Sequence, residues 1–297
     1  MPFENKPLLC LIVFLLLCSS IVNAQDSLST TNDSIPAKRR SHLKIELGYL
    51  SDNVYMGRSD SAKIPYITAG LRYIHKSGLF AGVSANYLST EGRADMFELN
   101  GGYMMSKGNW DAEISGSKYF YNANSYSVNS ETKGEISLYS SYDLGFISPS
   151  INAGMKFSQA TDYTASLGLE HDFSFLDEKL QIEPGVYMNA ATQNYYNAYY
   201  QKRKYATTRK GVQKVVGTVT ANTENAAAFK VLDYELTVPV EYTFHRFNIS
   251  VTPVYAIPVN PNHVNITVTT ANATRSRTTY ESLSNRVFCS VDLTFKI

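Results

Sequence analysis

The sequence predicts an all-β protein, a transmembrane antiparallel up-and-down barrel of about twelve strands with long outer loops and short periplasmic turns. Three observations predict it. Two-sided strands of about ten residues recur along the chain, against about 5–6 in soluble sheets. Aromatic residues collect at the ends of their apolar faces, as an interface girdle would. An export signal precedes them.

The export signal comes first. Lys6 is followed by the apolar run 8–17, then by Val22-Asn23-Ala24, which suits signal peptidase cleavage after Ala24. The run is about half the length of a membrane-spanning helix. Leu17 stands where a lipoprotein cut before Cys18 would need a small residue. Removing residues 1–24 leaves Cys289 as the single cysteine, so neither an internal disulfide nor a cysteine-based zinc site is expected. Residues 25–41 lack apolar periodicity and read as a disordered periplasmic leader. The barrel is assigned to 42–297.

Successive strands put alternate side chains on opposite faces. Leu43, Ile45, Leu47 and Tyr49 form one face of the first; Ile67, Ala69, Leu71 and Tyr73 of the second; Leu79, Ala81, Val83, Ala85 and Tyr87 of the third. Phe97, Leu99 and Tyr103 follow, then Trp110, Ala112, Ile114 and Phe120. Ile136, Leu138 and Tyr142 precede Ile151, Ala153, Met155 and Phe157, and then Tyr163, Ala165, Leu167, Leu169 and Phe173. Ile182, Val186 and Met188, then Leu232 to Tyr242, then Phe247 to Ile257 continue the pattern. The last strand, 287–297, alternates Val287, Cys289, Val291, Leu293, Phe295 and Ile297 with a mostly polar face. Its eleven residues rise roughly 36 Å, or roughly 28 Å of height at a tilt of about 40°, close to one bilayer core. Pro149, Pro184, Pro239 and Pro253 fall inside strands and mark expected irregularities.

Short connections near 76–78, 106–109, 143–146, 176–179 and 243–246 alternate with longer ones at 52–64, 88–95, 122–133, 158–162, 191–228 and 260–284. With short turns inside, both mature ends are expected in the periplasm of an outer-membrane protein.

On these residues the chain resembles bacterial outer-membrane β-barrels over 43–297. The resemblance implies partners in outer-membrane lipid, lipopolysaccharide and the barrel assembly machinery, which reads the C-terminal strand. Here Phe295 lies two residues before the end, where many such proteins close on an aromatic. Ser51-Asp52-Asn53-Val54-Tyr55-Met56-Gly57-Arg58 is similar to the first-loop motif of the porin family called TorF, with the Gly-Arg order reversed. Asp26-Ser27-Leu28, Asp33-Ser34-Ile35 and Asp60-Ser61-Ala62 are similar to O-glycosylation triplets of Bacteroidota.

If the apolar faces meet lipid, the others line the lumen. That wall carries Glu46, Glu98, Asp111, Glu113, Glu135, Glu170, Asp172, Glu183, Asp233, Glu235, Glu241 and Asp292, against Lys44, Arg72, Lys156, Arg286 and Lys296. An acidic constriction concentrates cations and repels anions, which implies a narrow passive channel for cations or small neutral solutes. Equally, these acids could pair with Lys44, Arg72 and Lys156 or with lumen tyrosines and close the barrel, leaving a scaffold, adhesin or receptor that works through 191–228 and 260–284. In the first of those loops Tyr195, Tyr196, Tyr199 and Tyr200 with Lys202, Arg203 and Lys204 could bind anionic sugar, or the loop could be a hairpin favoured by Val215, Val216, Thr218 and Val219.

Net charge of +1 gives no support for a nucleic-acid partner. No cofactor or metal motif occurs. A lipid-modifying enzyme would need Ser and His on one outer face, and His42, His75, His171, His245 and His263 do not fall there. No catalytic activity is expected.

Overall fold

The structure, a computed structural model, describes residues 40–60, 63–199, 217–270 and 273–297. The predicted signal segment and nearly all of the leader lie outside them. The described strands form one closed ring and a separate three-stranded sheet. In chain order they are β1 (His42–Leu50), β2 (Tyr66–Ile74), β3 (Leu79–Leu88), β4 (Arg93–Lys107), β5 (Trp110–Tyr121), β6 (Gly134–Tyr142), β7 (Ser148–Phe157) and β8 (Thr161–Glu170). There follow β9 (Phe173–Phe175), β10 (Leu180–Ile182) and β11 (Gly185–Ala191), then helix α1 (Asn194–Tyr199). The remainder are β12 (Gly217–Thr223), β13 (Lys230–Thr237), β14 (Val240–Phe244), β15 (Phe247–Pro258), β16 (His263–Thr270), β17 (Thr274–Tyr280) and β18 (Arg286–Lys296).

β9, β10 and β14 continue β8, β11 and β13 across short breaks, so the ring has twelve staves. Two breaks fall at expected prolines. Pro184 and Pro239 cannot donate, and their carbonyls instead accept from His171 N–H (3.1 Å) and Glu183 N–H (3.0 Å). β1 pairs with β18 from Lys44↔Lys296 to Leu50↔Ser290 and closes the barrel. Beyond the ladder, Leu43 and Ile297 exchange backbone hydrogen bonds at 3.2 and 2.9 Å, so both barrel ends lie at the same rim. Closure leaves no edge strand with unpaired backbone groups, as a sheet in lipid requires.

The predicted faces are those observed. Leu47, Leu71, Ile114, Leu138 and Leu167 point outward and are exposed, in a belt that only lipid would cover. Tyr49, Tyr73, Tyr87, Tyr103, Tyr142, Phe157, Phe173 and Tyr242 border it, all exposed. No described helix is long and apolar enough to cross a membrane.

Two expected long connections are short. β3 and β4 are joined by residues 89–92, because β4 runs fifteen residues, and β7 and β8 by 158–160. The long loops fold further. β12 pairs with β16, and β16 with β17, in a separate three-stranded sheet. The valine-rich segment expected as a hairpin therefore pairs, from Gly217 onward, with the last outer loop; Val215 and Val216 lie outside the described residues.

Candidate functional site

Register fixes which side chains share the lumen. Glu46 stands across from Gly70 and Thr294, Glu98 from Ser84 and Tyr119, and Glu113 from Met104 and Tyr139. Glu135 faces Ser117 and Lys156, Glu235 faces Tyr187 and Ala256, and Glu241 faces Gln181 and Ser250. Asp111 and Asp292 also point inward yet are exposed, so solvent reaches the wall there. The bases cluster apart: Lys44 is the register partner of both Arg72 and Lys296, and Arg286 stands opposite Ala256. Glu170, Glu183, Asp233, Glu235 and Glu241 share the β8–β11–β13 sector with no base between them in register. Asp172 lies exposed in the break between β8 and β9.

Local bonds hold several of these acids. Glu98 accepts from Ser117 Oγ at 2.8 Å, Ser84 Oγ at 3.4 Å and Asn100 Nδ2 at 3.4 Å. Glu135 pairs with Lys156 Nζ at 3.1 Å and accepts from the Tyr119 hydroxyl at 3.1 Å. Glu170 accepts from Ser150 Oγ at 2.9 Å and Glu241 from Asn248 Nδ2 at 3.3 Å. Arg72 sits 5.0 Å over the Phe80 ring instead of on a carboxylate. Among the described residues no group of three His, Cys, Asp or Glu could hold a metal ion.

The mouth at the rim opposite the chain ends is crossed by the connection between β1 and β2. Its tip is a tight turn in which Tyr55 N–H donates to Arg58 O (2.7 Å) and Arg58 N–H to Tyr55 O (3.0 Å). Met56 and Gly57 have φ of 47° and 72°, the pair of left-handed residues such a turn requires. A Cβ on Gly57 would stand 2.8 Å from Pro258 Cβ and 2.9 Å from Asp233 Cβ, so the turn is pressed onto β13 and β15. On the other side the Tyr55 ring lies 4.5 Å from Lys156 Nζ on β7, halfway around the ring from β1. Arg58 is buried and donates to the carbonyls of Leu232 (2.8 Å), Val259 (2.9 Å) and Asn260 (3.1 Å), with Glu281 at 3.5 Å. Burial raises the Tyr55 phenol well above its ordinary pKa, and the nearby Glu135 and Asp162 carboxylates add to the shift.

Around this tip the other long loops pack into a cap. Tyr195, Tyr196 and Tyr199 on α1 join Val128, Ala221 and Val264 in a buried apolar cluster against which Tyr55 packs. Tyr55 and Tyr195 meet edge to face at 5.3 Å. Asp162, at the outer end of β8, accepts from Thr192 Oγ1 (2.7 Å), Asn194 N–H (2.7 Å) and Tyr195 N–H (2.9 Å). It thereby caps the start of α1 from a different strand and offsets backbone donors the helix cannot pair. Asp95, 1% exposed, ties the loop between β5 and β6 to β2 and β4 by accepting from the side chains of Ser125 (Oγ, 2.6 Å), Tyr66 and Arg93.

This geometry corrects the expectation for the tyrosine loop. Tyr195, Tyr196 and Tyr199 are 2–4% exposed and form the cap's interior, where no sugar reaches them. Their spacing puts them together on one short helix, and burying three rings outweighs leaving them in water. Tyr200, Lys202, Arg203 and Lys204 lie outside the described residues. Sequence reasoning missed Tyr55, Arg58 and Asp162 as cap residues. The signals that could have found them were the motif-like stretch Ser51 to Arg58 and, for Asp162, an acid on the inner face at a strand end.

No protein-family model and no curated protein sequence matches the chain. Among solved structures it is similar to the KdgM porin, at 8% identity and a TM-score of 0.45 over 85% of this chain and 98% of that one. It is also similar to the NanC porin, at 11% identity and 0.44 over 86% and 100%. A bacterial polysaccharide outer membrane secretin aligns at 11% and 0.36 over 88% and 99%. The twelve-stave ring rests on its own strand pairing, not on these likenesses.

Proposed function

We propose that the protein is an outer-membrane barrel that acts as a narrow passive channel for cations or small neutral solutes. One observation carries this reading: a lumen with excess carboxylates, wet at Asp111 and Asp292, is constricted at its outer mouth by the turn at residues 55–58. Low-dielectric walls focus the field of those acids, raise the local cation concentration and repel anions. The fixed turn sets the size limit. In this reading the signal is cut after Ala24, both mature ends lie in the periplasm, and the β1–β18 seam is what the assembly machinery closes. No catalytic step is assigned to the chain.

The aromatic core of the cap favours a second reading, a closed barrel acting as surface scaffold or receptor through 191–228 and 260–284. Reversal potential under a salt gradient across a planar bilayer separates the two. The channel reading expects steady cation-selective current, with selectivity reduced in the Glu98→Gln, Glu113→Gln double variant. A folded barrel that passes no current supports the closed reading.

A further inference from the structure

Directly beneath the turn of the first loop the wall changes character. β6, β7, β8 and β11 place Tyr139, Asn152, Ser166 and Asn189 in one register row, four inward-facing uncharged residues flanked in register by Glu113 on β5 and Asp233 on β13. One row below, Ser150, Gly168 and Tyr187 are register partners. A Cβ on Gly168 would come within 2.8 Å of Tyr187 Cε1, and one on Gly185 within 3.0 Å of Tyr187 Cε2. The Tyr187 ring therefore lies close against the wall at two glycines. The ring fills the space that side chains at those two positions would take, and it also lines the lumen cavity.

An aromatic ring laid on glycine also stabilises a sheet, and that alone explains where Tyr187 lies. It does not explain the uncharged row beside it or the space in front. That space is a cavity of ≈ 300 Å³ roofed by Tyr55 and Met56, at the lower end of the range for small-molecule sites. Its two charged lining residues, Glu135 and Lys156, neutralise each other at 3.1 Å. Lys156 is further occupied by the Tyr55 ring and Glu135 by the Tyr119 hydroxyl. The cavity thus offers a flat aromatic face, a planar amide and hydroxyls, with no free charge, inside an otherwise acidic lumen.

We propose that this cavity is a binding station for a small neutral polyhydroxylated solute, a sugar or polyol of monosaccharide size. The apolar face of its ring lies on Tyr187. Its hydroxyls exchange hydrogen bonds with the Asn152 amide, the Ser166 hydroxyl and the Tyr139 phenol, each able to donate and accept. The turn at 55–58 holds the solute against the wall. The proposal rests on the channel reading, since the solute enters through the lumen.

Isothermal titration calorimetry on the folded full-length barrel in detergent tests it, with glucose, xylose and myo-inositol as neutral probes and gluconate and glucosamine as charged comparators. At least one neutral probe is expected to bind more tightly than either comparator. Asn152→Ala and Tyr187→Ala should each weaken it by about tenfold, the effect of losing one good contact. Tyr187→Phe should keep most of the affinity, because the ring remains. Unchanged gel mobility of the unboiled Asn152→Ala protein shows that the barrel is intact, should Tyr187→Ala fail to fold. Absence of binding by all three neutral probes overturns the proposal, as does equal binding by the comparators or by Asn152→Ala. Conductance of the same preparation keeps the two readings apart. Current without binding removes the station and leaves the channel; binding without current removes the channel and leaves an occupied, closed lumen.

Discussion

The barrel wall and the outer cap solve the same burial problem in opposite ways. In the wall, side chains such as Leu47, Ile114 and Leu138 face outward and exposed, while Glu46, Glu98 and Glu113 face a shared interior. In the cap, apolar rings such as Tyr195 and Tyr196 are inside, and so are the charges Arg58, Asp95 and Asp162, each hydrogen-bonded to a distant segment. The wall is held by backbone ladders spread over many residues. The cap is held by a few ties, and each tie carries a large share of it. The wall should therefore tolerate many single changes, and the cap few.

The largest expected effect is in the cap. Arg58→Ala leaves the Leu232, Val259 and Asn260 carbonyls and Glu281 without their partner. Breaking a buried ionic tie costs about 3–5 kcal/mol, enough to free the first-loop turn. Hydrogen exchange should rise over 51–65 while unboiled gel mobility, a property of the wall, stays the same. Next comes a wall residue facing lipid. Leu138→Arg should cost about 2–4 kcal/mol at mid-membrane, measured as a lower urea midpoint in vesicles, with exchange in the cap unchanged. A similar cost in the cap alone would erase the distinction between the regions.

Asp162→Ala should cost about 1–3 kcal/mol for the donors it strands, Asn194 N–H and Tyr195 N–H among them, read as faster exchange of those two amides. The smallest effect is on pH. Burial raises the pKa of both Tyr55 and Tyr195, so the folded cap holds these protons more tightly than the unfolded chain. Their contribution is complete below about pH 10 and declines as pH rises through the folded values. Tyrosinate absorbance should show two phenols fewer titrating near pH 10 in wild type than in Arg58→Ala.

The wall was legible because period two is a local signal, visible in Leu43 to Tyr49 without knowing any partner. The even ring, the faces and the aromatic borders all follow from it; the breaks at 184 and 239 follow from proline's missing donor, while Pro149 and Pro253 stay within paired strands. The cap was illegible for a matching reason. Asp162 caps a helix that begins 32 residues later, and Arg58 bonds carbonyls more than 170 residues away. Neither pairing leaves a period in the sequence. For Tyr195, Tyr196 and Tyr199 the sequence leaves a binding face and a hairpin open, because a run of tyrosines in a loop looks alike whether it is exposed or is the core of the loop itself.

The most direct test is single-channel conductance of wild type beside Arg58→Ala in the same planar bilayer. A small, steady, cation-selective current in wild type, growing in the variant as the turn at 55–58 is freed, is the predicted result. A folded wild type and a folded variant that both pass no current would contradict it, and the lumen would then be closed by its wall and not by its first loop.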